Sequence, residues 1–528
     1  MSRTRKFLGG VGFGYANQVL MTVAGLWLTP FLLNRTGQHD YGLWLVGTQV
    51  LAYLMLMDFG VVALLPRETA IVTGRAGGSV NSEELPLLIG QTARVVLWQM
   101  PLVALAAFAF WLMVPAGWEP LQRPLVVVLL AFVLTFPLRI FQATLQGLQD
   151  LEFLAKAQTC VWLLSTTLTI VLVFAGFGLY ALAAGWAATQ LLAAPLMFLR
   201  LRRCFPGALP RGLPHLTREA ARRKLAGGFW VSIGQIAVVL LAGTDVLIIG
   251  RLLGPAAVVP YACTGKLVSV LSNQPQMLAQ MAIPALSQLR GGAAPGQLAR
   301  VCAALSQAML LLSGAVVCLV LTVNRGFVGW WVGAEQFGGF ALTLSVLLVM
   351  ILRHWNLTVG IMLFSCGGER RLAVTALFDG LVTVISSVVL TKWLGLVGAP
   401  LGSIIGVCLV SLPGNLSGLA SAGALPITRM LKSLVPWFWR FAALAVGAGL
   451  LSRQFVPDNF ASLAAASILT AGAYTLVMLP VVWRDPLGAY VRPRLTPLTS
   501  KLFRVLPGSA GMLARLERAS AEVQYREP

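Results

Sequence analysis

Leu138-Arg139-Ile140-Phe141-Gln142-Ala143-Thr144 returns 214 residues later as Leu352-Arg353-His354-Trp355-Asn356-Leu357-Thr358. Both copies lie within long apolar stretches. An arginine at bilayer depth costs about 2.5–3.5 kcal/mol on insertion scales. A chain that carries this cost twice, at matching places, is expected to have two related halves facing one polar cavity.

The composition around the repeat agrees with a bilayer setting. Of 528 residues, 58% are hydrophobic and 11% charged, and the mean hydropathy is +0.82. A soluble domain carries about 25% charged residues. The reading is therefore an all-α polytopic membrane protein. The seven cysteines form no CxxC pair and no Cys/His metal spacing, so neither a disulfide framework nor a metal site is expected. The basic start, Arg3-Arg5-Lys6, leads into an apolar run that continues to Leu33 without a small-residue cleavage site, and reads as a retained first span.

A span needs about 20 apolar residues. Fourteen stretches qualify, at about 7–33, 41–65, 86–113, 125–149, 157–175, 180–199, 225–250, 257–285, 301–323, 337–363, 373–391, 397–420, 437–452 and 461–483. With the first residue inside, the inner segments hold 28 Lys and Arg and the outer loops six. That bias places both termini in the cytoplasm. It also explains the net charge of +21 without nucleic acid as a partner.

The expected organisation is a six-helix bundle over 1–199, a basic cytoplasmic linker over 200–224, a second six-helix bundle over 225–420, two additional spans within 421–483, and a basic tail over 484–528. The linker carries Arg200, Arg202, Arg203, Arg211, Arg218, Arg222, Arg223 and Lys224 between prolines, a charge suited to anionic membrane lipids. In the tail, 509–523 reads as a short surface helix. A shift of 217 residues pairs Gln18 with Gln235, Gly37 with Gly254, Trp44 with Tyr261 and Glu152 with Glu369. Six spans per repeat give both halves one orientation, related by a pseudo-two-fold axis along the membrane normal around a central cavity.

No enzyme constellation appears. The outer loops are short, no carboxylate pair stands at catalytic spacing, and no phosphate-binding glycine loop is present. The chemistry is left to polar residues inside the spans. Arg139 and Arg353, with Arg94 and Lys266, are the expected binders of a diphosphate or glycan. Arginine presents a planar fork to phosphate oxygens and stays charged at any working pH. Asp58, Asp245 and Asp379 are either ion-coupling residues or structural partners of those cations. Four positives against three aspartates leave a modest positive excess, which favours an anionic head group.

The opening stretch Gly14-Tyr15-Ala16-Asn17-Gln18, then Leu26-Trp27-Leu28-Thr29-Pro30-Phe31-Leu32-Leu33, Gly37 and Tyr41-Gly42-Leu43-Trp44, resembles the polysaccharide-transport branch of the multidrug/oligosaccharidyl-lipid/polysaccharide exporter superfamily. Asp58-Phe59-Gly60 fits the same pattern, as do Thr244-Asp245-Val246-Leu247-Ile248-Ile249-Gly250 and Gly254. The resemblance covers about residues 1–420. It implies a V-shaped cavity, alternating access, and flipping of undecaprenyl-diphosphate-linked oligosaccharide across the bacterial inner membrane, for exopolysaccharide or O-antigen (lipopolysaccharide) synthesis. Polysaccharide polymerase and ligase proteins are the implied protein partners, and no cofactor is implied. Fourteen spans would also suit a lipid II-type flippase. The rivals are a cation-coupled drug exporter, which needs an acidic cavity; a membrane-embedded polymerase or ligase, which needs a large outer loop; and a structural scaffold, which leaves the repeated arginine unexplained.

Overall fold

The computed structural model describes residues 3–75, 83–115, 117–210, 212–214, 217–282, 286, 297–421 and 427–492. The expected surface helix at 509–523 and Arg211 lie outside the described residues. Among those described, every regular element is helical. The helices are α1 (Arg3–Thr36), α2 (Gln38–Leu54), α3 (Val61–Arg75), α4 (Glu84–Leu112), α5 (Glu119–Thr135), α6 (Arg139–Gly147), α7 (Leu151–Phe174), α8 (Leu179–Cys204) and α9 (Arg218–Leu252). They continue as α10 (Val258–Met281), α11 (Gln297–Val332), α12 (Phe340–Ser365), α13 (Glu369–Leu394), α14 (Gly398–Gly406), α15 (Leu412–Ser421), α16 (Ile427–Gln454) and α17 (Phe460–Val482).

By length and apolarity, ten described helices can cross a bilayer, or eleven when Gln38–Asp58 and Val61–Arg75, bent by 55°, count as one span. Where the described residues cover them, the fourteen expected spans fall mainly on helix, but that exact number is not reached on these criteria. One reason is that the 53-residue stretch Glu369–Ser421 counts once although it doubles back. Gly398 lies against the backbone of Leu390, and Gly402 against that of Ser387. Later residues thus meet earlier ones, which makes α13 and α14 an antiparallel hairpin. The sequence Gly398-Ala399-Pro400-Leu401-Gly402 is a small-xxx-small pattern that lets backbones approach this closely.

The chain divides into two compact units. One comprises Met1–Cys263 with Ala376–Ser403, the other Thr264–Thr375 with Ile404–Pro528. In the first unit, α7 packs on α8 and α1, α5 on α8, and α3 on α6. In the second, α11 packs on α12, α16 and α17. The core there joins Leu310, Val317, Leu321, Leu347 and Met350 to Trp437, Tyr474 and Met478. Tyr474 donates from its hydroxyl to the Leu311 carbonyl at 2.7 Å, and Trp437 stacks on Phe441 at 4.8 Å. The two C-terminal spans are therefore built into the core of that unit. Their other faces expose Phe438, Trp439, Val446, Ile468, Leu469 and Leu476, as a lipid-facing surface requires.

The backbone keeps a record of duplication. Gly37 and Gly254, 217 residues apart, precede α2 and the short turn before α10 with φ of 84° and 92°. Gln149 and Gly367, 218 apart, both have positive φ before α7 and α13. Gly178 and Gly395, 217 apart, do the same before α8 and just before α14. Glu152 and Glu369, the pair read from the sequence, both stand in the first turn of their helices, where a negative charge complements the helix dipole.

Candidate functional site

Asp58-Phe59-Gly60 is the point at which the second span breaks. A single 3-10 turn, Met55–Asp58, ends in Phe59 with left-handed φ of 47°. Gly60 follows at φ 71°. The Asp58 carboxylate accepts the Gly60 N–H at 3.0 Å, the side-chain turn by which aspartate supports a left-handed backbone. Gly60 and Gly228 on α9 are in close backbone approach, which no side chain at either place would allow.

Arg139 closes this break. It begins α6 after the 3-10 turn Phe136–Leu138, and its guanidinium stands 3.7 Å from Asp58 Oδ2. It also donates to the Met55 carbonyl at 3.5 Å and lies over the Phe136 ring at 5.6 Å. Gln99 on α4 donates to the Asp58 carbonyl at 3.2 Å. Asp58 is 1% exposed, while the Arg139 side chain keeps 30% of its surface open. Three spans of the first unit thus meet at one charged node.

The second unit has a neutral node in the corresponding spans. His354, 2% exposed, shares a hydrogen bond of 2.8 Å with Ser313 on α11 and one of 3.3 Å with Gln276 on α10. Asp58, Gln99 and Arg139 are matched by Gln276, Ser313 and His354 at offsets of 218, 214 and 215 residues. Arg353 itself is half-buried on α12. It lies fourteen residues before the left-handed Gly367, whereas Arg139 lies ten before Gln149. The second arginine is therefore about one helical turn further from that end of its span.

Arg94 donates to the Pro214 carbonyl at 2.7 Å, which fastens the linker to α4. Lys224 pairs with Glu68 at 3.4 Å and donates to Thr92 at 3.0 Å. Arg200 meets Asp150 at 2.8 Å. The basic linker is thus tied by ion pairs and a carbonyl to the first unit. Asp245 accepts from the Tyr261 hydroxyl at 2.7 Å, and Asp379, fully buried, accepts from Thr383 at 3.0 Å. Lys266 is half-buried on α10 of the second unit.

A further polar chain escaped the sequence reading. Thr375 donates to Asn415 at 2.9 Å, Asn415 to Asn356 at 2.9 Å, and Asn356 to Ser411 at 3.0 Å. Ser411 ends a π-helical turn, Val407–Ser411, a bulge of the kind frequent at functional positions. Asn356 belongs to the second copy of the arginine motif, and the single available signal was that one amide. Among the described residues, no group of three His, Cys, Asp or Glu is placed to hold a metal ion.

Fold and intramembrane polar nodes together define a polytopic helical membrane protein with an internal duplication. Residues 100–335 match the family model described as polysaccharide biosynthesis protein. The solved structure of a lipid II flippase, MurJ, in an inward closed conformation superposes with a TM-score of 0.63 and 11% identity, covering 89% of this chain and 99% of that one. A multidrug-resistance MATE family transporter of the MOP superfamily superposes in its outward-facing conformation at 0.51, with 14% identity over 78% of this chain and 93% of that one. Its inward-facing counterpart gives 0.50, with 15% identity over 75% and 95%. No curated protein sequence gives a significant match. The family match and the shared fold both agree with the resemblance carried by the opening motifs.

Proposed function

We propose that this chain flips a polyprenyl-diphosphate-linked oligosaccharide across the bacterial inner membrane by alternating access, in exopolysaccharide or O-antigen synthesis. The observation that carries the reading is the polysaccharide biosynthesis match over residues 100–335, on a fold shared along 89% of the chain with a protein named as a lipid II flippase. A diphosphate carries about two negative charges and needs fixed cations wherever water is thin. Arg139 offers its open face in the first unit while Asp58 anchors it. Arg353 and Lys266 offer charge in the second unit. Arg94 contributes charge near the linker, with one donor already given to Pro214. Of the three acids proposed for ion coupling, Asp58 is held by Arg139 and Gly60, Asp245 accepts from Tyr261 and Asp379 from Thr383. Both termini face the cytoplasm in this reading, and polymerase and ligase proteins receive the product.

A second reading, a lipid II-type peptidoglycan precursor flippase, draws support from the TM-score of 0.63 and from the two C-terminal spans packed on α11. One experiment separates the two. Purified protein is reconstituted in proteoliposomes with either lipid-linked oligosaccharide or lipid II, each carrying a fluorescent glycan. Protein-dependent loss of fluorescence to a membrane-impermeant quencher is then followed. The oligosaccharide should be moved in preference. Movement of lipid II alone would establish the second reading, and movement of neither would overturn both.

A further inference from the structure

The second unit holds a cavity of about 570 Å³ where α11, α12 and α16 end or begin, lined among others by Asn324, Arg325, Trp330, Phe340, Arg453 and Asp458. That volume lies within the range of about 300–1,000 Å³ typical of small-ligand sites. Gly326 lets the Pro457 backbone approach α11 directly, since a Cβ there would stand 2.3 Å from the Pro457 carbonyl oxygen. This contact fixes the loop after α16 over the end of α11. Arg453 lies with its guanidinium 5.6 Å from the centre of the Phe340 ring. Arg325 is exposed and has no partner among the described residues. Trp330 leaves half of its indole open.

Asn324 is 1% exposed. Its amide nitrogen donates to the Thr264 carbonyl at 3.0 Å and to Thr343 at 3.1 Å. Its Oδ1 is buried with no hydrogen-bond partner. A buried acceptor left unsatisfied costs about 1–3 kcal/mol, and Asn324 borders the cavity. The site therefore combines two guanidinium groups, an orphan acceptor, a carboxylate and an open aromatic face.

We propose that this cavity binds one acidic sugar unit, a hexuronate or its equivalent, of the glycan that the chain transports. The proposal rests on the glycan reading above. Arg325 and Arg453 meet the sugar carboxylate through charge-assisted hydrogen bonds. Sugar hydroxyls donate to Asn324 Oδ1 and to Asp458, and the ring packs on Trp330, whose indole is apolar at one face and wet at its edge. A bare phosphate dianion brings at most one P–OH donor for Asn324 and Asp458 and sets its remaining negative oxygens against that carboxylate. The acceptors therefore select a polyol carrying an acid over an acid alone.

The test is calorimetric titration of the purified full chain in detergent with trigalacturonate, maltotriose, inorganic phosphate and a short-chain phosphatidic acid. Trigalacturonate should bind saturably, and maltotriose should not. Arg325→Gln and Arg453→Gln should each weaken binding by about tenfold at an unchanged melting temperature, and Trp330→Ala should weaken it as well. Equal binding of maltotriose would remove the acidic selectivity and overturn the proposal. Displacement of trigalacturonate by phosphate or phosphatidic acid at equal concentration would assign the site to a phosphate head group and overturn it too, as would no binding at all. Transport is scored separately in proteoliposomes. Trigalacturonate binding by a chain that moves no lipid-linked oligosaccharide would sink the flippase reading and leave the subsite standing.

Discussion

Arg139 and Asp58 stand 3.7 Å apart across two breaks in the membrane helices. One break is the left-handed turn at Phe59, the other the 3-10 turn at Phe136–Leu138. The arginine donates to a backbone carbonyl within the first break, at Met55, while it neutralises the acid. The repeated arginine, the strongest sequence signal for a ligand, is thus in its first copy also a structural tie.

That arrangement sets a measurable expectation. Arg139→Ala leaves Asp58 charged and buried at 1% exposure. Removing one partner of a buried pair costs about 3–5 kcal/mol. We expect a large drop in membrane abundance and in melting temperature in detergent. Asp58→Asn combined with Arg139→Gln should restore most of both, since amides need no counter-charge. Normal abundance of Arg139→Ala would show that the pair carries little stability. Transport per folded molecule of the double variant then reads the ligand role alone. Wild-type transport there would remove Arg139 from the proposed diphosphate contacts.

The corresponding node of the second unit is neutral, so its loss should be milder. Ser313→Ala removes one hydrogen bond from His354 and leaves no unpaired charge. A neutral hydrogen bond contributes about 1 kcal/mol net. We expect a melting-temperature decrease well below that of Arg139→Ala, with normal abundance. A loss equal to that of Arg139→Ala would mean that His354 carries charge in the folded protein.

How much of this was legible in the sequence follows from what each signal measures. Apolar runs report the bilayer directly, so helices and the duplication could be read, and Gly37 with Gly254 gave the true repeat register. Helix breaks inside the runs could not be read, because Asp58-Phe59-Gly60 and Phe136-Pro137-Leu138 do not lower the local hydropathy enough to interrupt it. The depth of Arg139 therefore does not follow from counting residues along one straight helix. Partners were hidden for a different reason. Asp58, Gln99 and Arg139 are 41 and 40 residues apart, and only the packing of three spans brings them together. The hydrogen-bonded Asn356, Asn415, Ser411 and Thr375 are neutral, so charge patterning does not mark them.

The hairpin of α13 and α14 yields a third prediction. A Cβ on Gly402 would stand 2.3 Å from the Ser387 backbone nitrogen, and one on Gly398 2.2 Å from the Leu390 carbonyl carbon. Neither neighbour can rotate away, because both contacts are to backbone. Gly402→Val should separate the helices and cost at least the 1–3 kcal/mol typical of overpacking. Ser387→Ala should be tolerated far better, with the loss of one hydrogen bond to the Ala399 carbonyl. Thermal unfolding of the two variants in detergent checks this, and equal stability of both would mean that the hairpin opens readily.

The last prediction concerns orientation. The inner segments read from the sequence hold 28 of the 39 Lys and Arg and the outer loops six. Such a bias retains the basic segments on the cytoplasmic side during insertion. Arg202, near the end of α8, is then cytoplasmic, and Glu119, in the first turn of α5, is external. Single cysteines at these two places in a cysteine-free background should react oppositely with a membrane-impermeant maleimide in intact cells, Glu119→Cys labelled and Arg202→Cys protected until the membrane is opened. Arg453→Cys, at the end of α16, should behave as Glu119→Cys, because an even number of spans separates them. Labelling of both Glu119→Cys and Arg202→Cys from outside would overturn the span order between α5 and α8. Protection of Arg453→Cys alone would place the error in the later spans and would move the acidic-sugar cavity to the inner face.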